Sequence, residues 1–190
     1  MAMQDQAQIQ LRSVLPSDAE ALCAAINAVA AERWVLATVQ FSLDEVRGFL
    51  GMSIEISMPH VLALDGEIVI GWCDIVPGKA ANGFGHIGRL GMGVRREWRR
   101  RGIGRRLLEE CLRQAAQAGL EKVELEVYTD NEPALLLYKE FGFAEEGLRR
   151  GARKLDGRYQ DIELMALWLR NRLVPERGQG CTESTLIDRT

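Results

Sequence analysis

The stretch "RREWRRRGIGRRLLEE", residues 95–110, places seven arginines around two glycines, immediately ahead of an amphipathic run. Past Gly102, the residues Ile103, Leu107, Leu108, Cys111, Leu112 and Ala115 fall on one helical face. Glu109, Glu110, Arg113 and Gln117 lie away from it, so the pattern predicts a helix. The segment before the arginines, "GFGHIGRLGMGV" (83–94), reads as a strand. Its glycines predict a bulge, or the close approach of another backbone or a ligand. A strand, a basic glycine-containing loop and a helix, in that order, make an anion site. The first helical turn leaves N–H groups without intrahelical partners, and the helix dipole favours negative charge there. Gly102 and Gly104 remove side chains from the approach. The loop lacks the lysine–serine ending of a Walker A loop and the longer glycine spacing of a dinucleotide fingerprint. Taken alone, Arg-x-x-Gly-x-Gly also fits a solvated basic helix start.

Composition makes those arginines a local exception. The chain has 190 residues, a net charge of −3, 47% apolar and 27% charged residues, and an isoelectric point near 5.6. Those values describe one globular domain with a real core. A nucleic-acid-binding domain is usually basic throughout, so no nucleic-acid partner is expected. Cys23, Cys73, Cys111 and Cys181 form no CxxC pair and read as small hydrophobes in a reducing cytosol. His60 and His86 are the only histidines, and no Cys/His cluster has zinc spacing, so no metal is expected. No signal peptide and no membrane-length apolar run is visible, which predicts a cytoplasmic protein without a membrane partner.

The remaining segments alternate between strand and helix patterns. A strand is predicted at 9–15, a helix from Pro16 to Trp34, and a second helix at 42–50, where Ser42 and Glu45 have capping-box spacing. "HVLALDGEIVIGWCDIVPG" (60–78) reads as a hairpin around Asp65-Gly66. "KVELEVY" (122–128) alternates as a strand. "NEPALLLYKEFG" (131–142) reads as a short helix with Asn131 as its cap, Pro133 in its first turn and Gly142 as its stop. Residues 143–169 read as a closing strand pair. The polar segment 171–190 stands outside a domain spanning 8–170.

Two of these stretches together resemble a known family. "VRREWRRRGIGRRLL" is similar to the acetyl-CoA signature of the GCN5-related N-acetyltransferases (GNAT), Gln/Arg-x-x-Gly-x-Gly/Ala, with Arg99, Gly102 and Gly104 in the signature positions. "NEPALLLYKEFGF" resembles the family's second motif through Asn131, Tyr138, Gly142 and Phe143. The order of elements from residue 9 to residue 169 matches as well. The resemblance implies an α/β fold with a mixed, mostly antiparallel sheet of six to seven strands, about four flanking helices, and splayed fourth and fifth strands. It implies acetyl-CoA as co-substrate, bound by Met92, Gly93, Val94, Arg99, Arg100, Arg101, Gly102, Ile103, Gly104, Arg105, Asn131 and Tyr138. The anion expected at the arginine loop would be the pyrophosphate of coenzyme A.

The implied reaction is transfer of acetyl to a primary amine of a small molecule such as an amino acid. The alternatives are a protein N-terminus or lysine as acceptor, or an acyl-CoA-binding regulatory module without turnover. Such a transfer needs a deprotonated amine, donors for the oxyanion and a proton for the departing thiolate. The family pattern makes Tyr138 the candidate acid and the backbone near Met92–Val94 the oxyanion donor. His86, read on the fourth strand, resembles a histidine of amine-acetylating relatives and is the candidate base. A structural histidine at a strand start is the other reading of it. Glu32, Asp161 and Glu163 are acidic alternatives for orienting a cationic amine, and Trp34 and Tyr159 are candidates for the rim of the acceptor pocket. Family members often dimerise, so a homodimer is expected.

Overall fold

The computed structural model describes residues 9–33 and 40–169. Among these the elements run β1 (Gln10–Ser13), α1 (Ala19–Ala30), α2 (Leu43–Glu55), β2 (His60–Asp65), β3 (Ile68–Pro77), β4 (Ile87–Val94), α3 (Ile103–Gln117), β5 (Lys122–Tyr128), α4 (Glu132–Glu140), β6 (Ala144–Leu155) and β7 (Arg158–Trp168). The strands form one sheet in the order β1-β2-β3-β4-β5-β7-β6. Every neighbouring pair is antiparallel except β4 and β5. This is the mixed α/β architecture that the resemblance implied. Segment 171–190 and Trp34 lie outside the described residues.

Local chemistry accounts for the elements. Ser42 caps α2: the Glu45 N–H donates to Ser42 Oγ (3.2 Å), and the Ser42 N–H donates to the Glu45 carboxylate (2.8 Å). The β2–β3 turn consists of Gly66 and Glu67, one residue later than the dipeptide expected, with Gly66 at φ +58. All six apolar residues predicted to share a face of α3 are buried. They pack with Ile75, Leu90, Val123 and Tyr138 in one core. A second core on the other sheet face joins α1 and α2 to Leu62, Val69 and Trp72.

Two expectations for residues 83–94 need correction. The strand starts only at Ile87. The Ile87 N–H donates to the Phe84 carbonyl (3.0 Å), and Gly83 sits at φ +81, so the chain turns where a strand was expected. The bulge expected in β4 is also absent from its pairing with β3, which keeps register from Gly71↔Val94 to Pro77↔Gly88. Close approach is the reason for the glycines. A Cβ on Gly88 would stand 2.3 Å from Ile75 Cγ2, and one on Gly93 would stand 2.3 Å from Trp72 Cη2. Trp72 is buried and held by the second core, so Gly93→Ala should overpack the site and cost about 1–3 kcal/mol. Urea unfolding of the variant checks this.

Candidate active site

β4 and β5 are paired only through Ile87↔Lys122, Gly88↔Val123 and Arg89↔Glu124. Beyond that point they part. β5 stays paired to β7 over its whole length, so the parting leaves one edge of β4 open for five residues, about 16 Å. The hydrogen-bond pattern shows which groups it exposes. Arg95 N donates to the Ile70 carbonyl (2.9 Å) and Gly78 N to the Ile87 carbonyl (2.8 Å). In an antiparallel ladder the bonded pairs recur every second residue, so the odd-numbered residues of β4 bond to β3. The N–H and C=O groups of Leu90 and Met92 therefore point into the gap. The Val94 carbonyl, on the same edge, accepts from Arg99 Nε (2.9 Å). Buried backbone groups are nearly always paired in native proteins, and this edge is built to receive an extended, hydrogen-bonding partner.

The gap continues into a cavity of about 720 Å³ that ends at the first turn of α3. Arg106 N donates to the Gly102 carbonyl (3.1 Å) as the first helical bond. The N–H groups of Ile103, Gly104 and Arg105 are thus without intrahelical acceptors, and no side chain caps the helix. Gly102 takes φ +75 and Arg100 takes φ +62, two left-handed residues that turn the loop into the helix. A Cβ on Gly104 would meet nothing nearer than 3.5 Å, so this position opens to the cavity. Met92, Gly93, Val94, Arg99, Arg100, Gly102, Ile103, Gly104, Arg105, Asn131 and Tyr138 all line the cavity; Arg101 does not. Arg101 lies over the Trp98 ring at 4.8 Å. Arg99 is tied internally as well, with its guanidinium on both Glu32 oxygens (2.8 and 2.5 Å). Arg105 pairs with Glu140. The free N–H groups and the Arg100 side chain fit a pyrophosphate, and the open β4 edge fits the amides of a pantetheine arm.

Tyr138 projects from α4 into the same cavity, with its ring tilted against Phe143 at 5.6 Å. Burial pushes its hydroxyl well above the ordinary tyrosine value, so it stays protonated. His86 is exposed and precedes β4, and it is not among the residues lining the cavity. Six residues of strand separate it from Met92, about 20 Å. Asp161 accepts from Gly151 N (2.7 Å), Glu163 faces Lys139 at 3.8 Å, and Tyr159 is exposed beside Lys154. His60 is buried against Ser53 Oγ (3.0 Å), and burial lowers its pKa to about 4. Sequence reasoning passed over Asp74 of β3, a buried carboxylate opposite Gly91. The signal available was one acid in an otherwise apolar strand, on the face that also carries Trp72. No described cluster of three or more His, Cys, Asp or Glu residues could hold a metal. No described helix is long and apolar enough to cross a membrane.

An open strand edge leading to an uncapped helix start suits an extended, anionic ligand, and comparison with known proteins supplies the class. The profile of the acetyltransferase (GNAT) family matches residues 27–143. The chain belongs to that family and is an acetyltransferase that uses acetyl-CoA. YwnH of Bacillus subtilis (strain 168), provisionally named a phosphinothricin acetyltransferase, is 28% identical over 158 residues, 82% of this chain and 96% of its own length. AaaT of Escherichia coli (strain K12), an L-amino acid N-acetyltransferase, is 32% identical over 82 residues, covering 43% of this chain and 51% of that protein. A solved acetyltransferase of the GNAT family from Streptococcus pneumoniae superposes with a TM-score of 0.79 at 26% identity. That match covers 85% of this chain and 99% of the other.

The loop geometry makes a stability prediction that needs no ligand. No atom lies within 4 Å of a Cβ on Gly102, so only its left-handed backbone opposes a side chain there. Gly102→Ala should cost about 1–2 kcal/mol. Arg100→Gly, which relieves the same strain at a glycine's entropic cost, should stay within about 1 kcal/mol of wild type. Urea unfolding of both variants checks the pair.

Proposed function

We propose that the protein transfers acetyl from acetyl-CoA to the primary amine of a small molecule, an amino acid or a compound like one. The open edge of β4 running into the uncapped start of α3 carries the donor half of this reading. The relatives named for amino acid and phosphinothricin acetylation support the acceptor half. In this reading the N–H groups of Ile103, Gly104 and Arg105, with Arg100, hold the pyrophosphate, and Leu90 and Met92 pair with the pantetheine arm. The donor supplies a thioester carbonyl. Met92 N–H is aimed at the gap, where charge develops on the carbonyl oxygen. Tyr138, held protonated by burial, gives its proton to the departing thiolate. His86 has no part in this reading. Protein N-termini and regulatory binding without turnover are the rival readings.

Thiol release from acetyl-CoA, screened with amino acids, polyamines, aminoglycosides and short peptides, tests the acceptor. Turnover with amino acids and none with peptides is expected, and the absence of any turnover would favour a binding module. Light scattering at micromolar concentration tests the expected homodimer against the 21.2 kDa monomer. Gly104→Glu puts a negative side chain into the cavity and should abolish calorimetric coenzyme A binding with the melting curve unchanged. Tyr138→Phe keeps the ring and removes the proton. It should lower kcat by roughly 10²–10⁴-fold with coenzyme A affinity little changed, and steady-state kinetics with a saturating amine checks it.

A further inference from the structure

Asp74 is a carboxylate that the fold leaves unanswered. It is 8% exposed, and among the described residues no group hydrogen-bonds or ion-pairs with its side-chain oxygens. In register it stands opposite Gly91, and its two oxygens lie 3.2 and 3.3 Å from the point where a Cβ on Gly91 would be. Asp74 is not itself among the residues lining the cavity, but Gly91, which does line it, carries no side chain to screen the carboxylate from the gap. Burial raises its pKa to about 7.

The cavity passes through the sheet. Leu137 and Tyr138 line it from the α4 side, while Glu126, Tyr128 and Ile162 line it from the opposite face. Alternation along β3, β4 and β5 places Asp74, Gly91 and Glu126 on that opposite face. A donor held against α3 and α4 leaves its carbonyl open to attack from there. Glu126, across the gap, is already engaged by Arg149, which leaves Asp74 as the unengaged acid. We propose that Asp74 accepts the proton of the incoming amine, on the sheet face opposite Tyr138.

The inference rests on the amine acetylation proposed above and adds a residue to it. An ammonium N–H bond breaks and the proton moves to Asp74 Oδ. The freed nitrogen pair forms the C–N bond while the carbonyl π pair moves to oxygen. When that pair returns, the C–S bond breaks. The thiolate takes the Tyr138 hydroxyl proton, and the second amine proton restores that hydroxyl. Asp74 then releases its proton to water, so one amine proton ends on the thiol and one in solvent.

The titratable and charged groups around Asp74 are few. His60 lies across from it on β2 and is neutral above about 4. Arg89 shares its face on β4, and Cys23 is on α1. Cys73, whose thiol burial pushes up, and Cys111 of α3 lie on the other face. Near neutrality these leave Asp74 as the group that changes charge. Ionised only above about 7, it should give wild-type kcat/KM a limb that rises with pH through that value. Its folded-state pKa lies above its unfolded one, so the folded state binds the proton more tightly. Stability is therefore lost as pH rises from about 4, the unfolded value, to about 7.

The experiment is a pH series of kcat and kcat/KM for wild type and Asp74→Asn, using the best amine from the thiol-release panel. At pH 7.5 the variant should lose roughly 10²–10³-fold in kcat. The loss should narrow as pH approaches the amine's own pKa, where free amine no longer needs a base. Coenzyme A affinity should be unchanged, and at pH 8 the variant should melt no lower than wild type. Asp74→Ala, with added formate restoring turnover, is the second variant should the first not fold. A loss equal at every pH without formate rescue, or a variant within about threefold of wild type throughout, overturns the inference and leaves amine acetylation standing. A wild type that releases thiol with no amine overturns both.

Discussion

The parting of β4 from β5 is the constraint on which the rest of this structure depends. Three residue pairs hold the two strands together at one end, and the sheet is otherwise continuous on both sides. Several features placed around the gap keep it open. The glycines of β4 let Ile75, Trp72 and Asp74 press close from β3 without forcing that strand outward. α3 buries a full apolar face against the sheet, which anchors its N-terminal turn at the far end of the gap. Arg99 ties the loop at both ends, to the last residue of β4 and to Glu32 beyond α1. Arg99 and Arg105 spend their charge on internal carboxylates, which leaves the backbone N–H groups at the start of α3 as the groups open to an anion.

Features set by short-range chemistry were legible in the sequence. The face of α3, the Ser42–Glu45 capping box and the hairpin from 60 to 78 each depend on residues within one or two turns of one another. The arginine–glycine loop was legible for the same reason. The start of β4 was not, because glycines at 83, 85 and 88 fit a turn as easily as a strand. The choice was made by the Phe84–Ile87 bond and the packing of Gly88 under Leu120. That uncertainty is what moved His86 onto a strand it precedes. Pairings across long separations were illegible in principle. Glu32 and Arg99 stand 67 positions apart, and Asp74 acquires its meaning only from the register that sets it against Gly91.

In the reaction proposed here, the two faces of the sheet carry opposite proton chemistry. Tyr138 is buried and held protonated at rest on one side, and Asp74 is buried with its charge finely balanced on the other. Both shifts have the same physical origin, loss of water from an ionisable group. They differ in consequence because a phenol near neutrality is driven further from ionising, while a carboxylate is driven toward the working pH. In that reading a single feature, the cavity that passes through the sheet, separates the donor from the acceptor.

The gap also bears on how durable the molecule is. A sheet missing part of one rung is an incomplete fold, and a ligand that bonds to Leu90 and Met92 completes it as a strand would. Its binding energy then adds to the free energy of folding, about 2.7 kcal/mol at a hundredfold excess over its dissociation constant. The purified, empty protein and the protein at cellular concentrations of its donor are therefore different objects thermodynamically. The melting temperature measured on the first is a lower bound for the second.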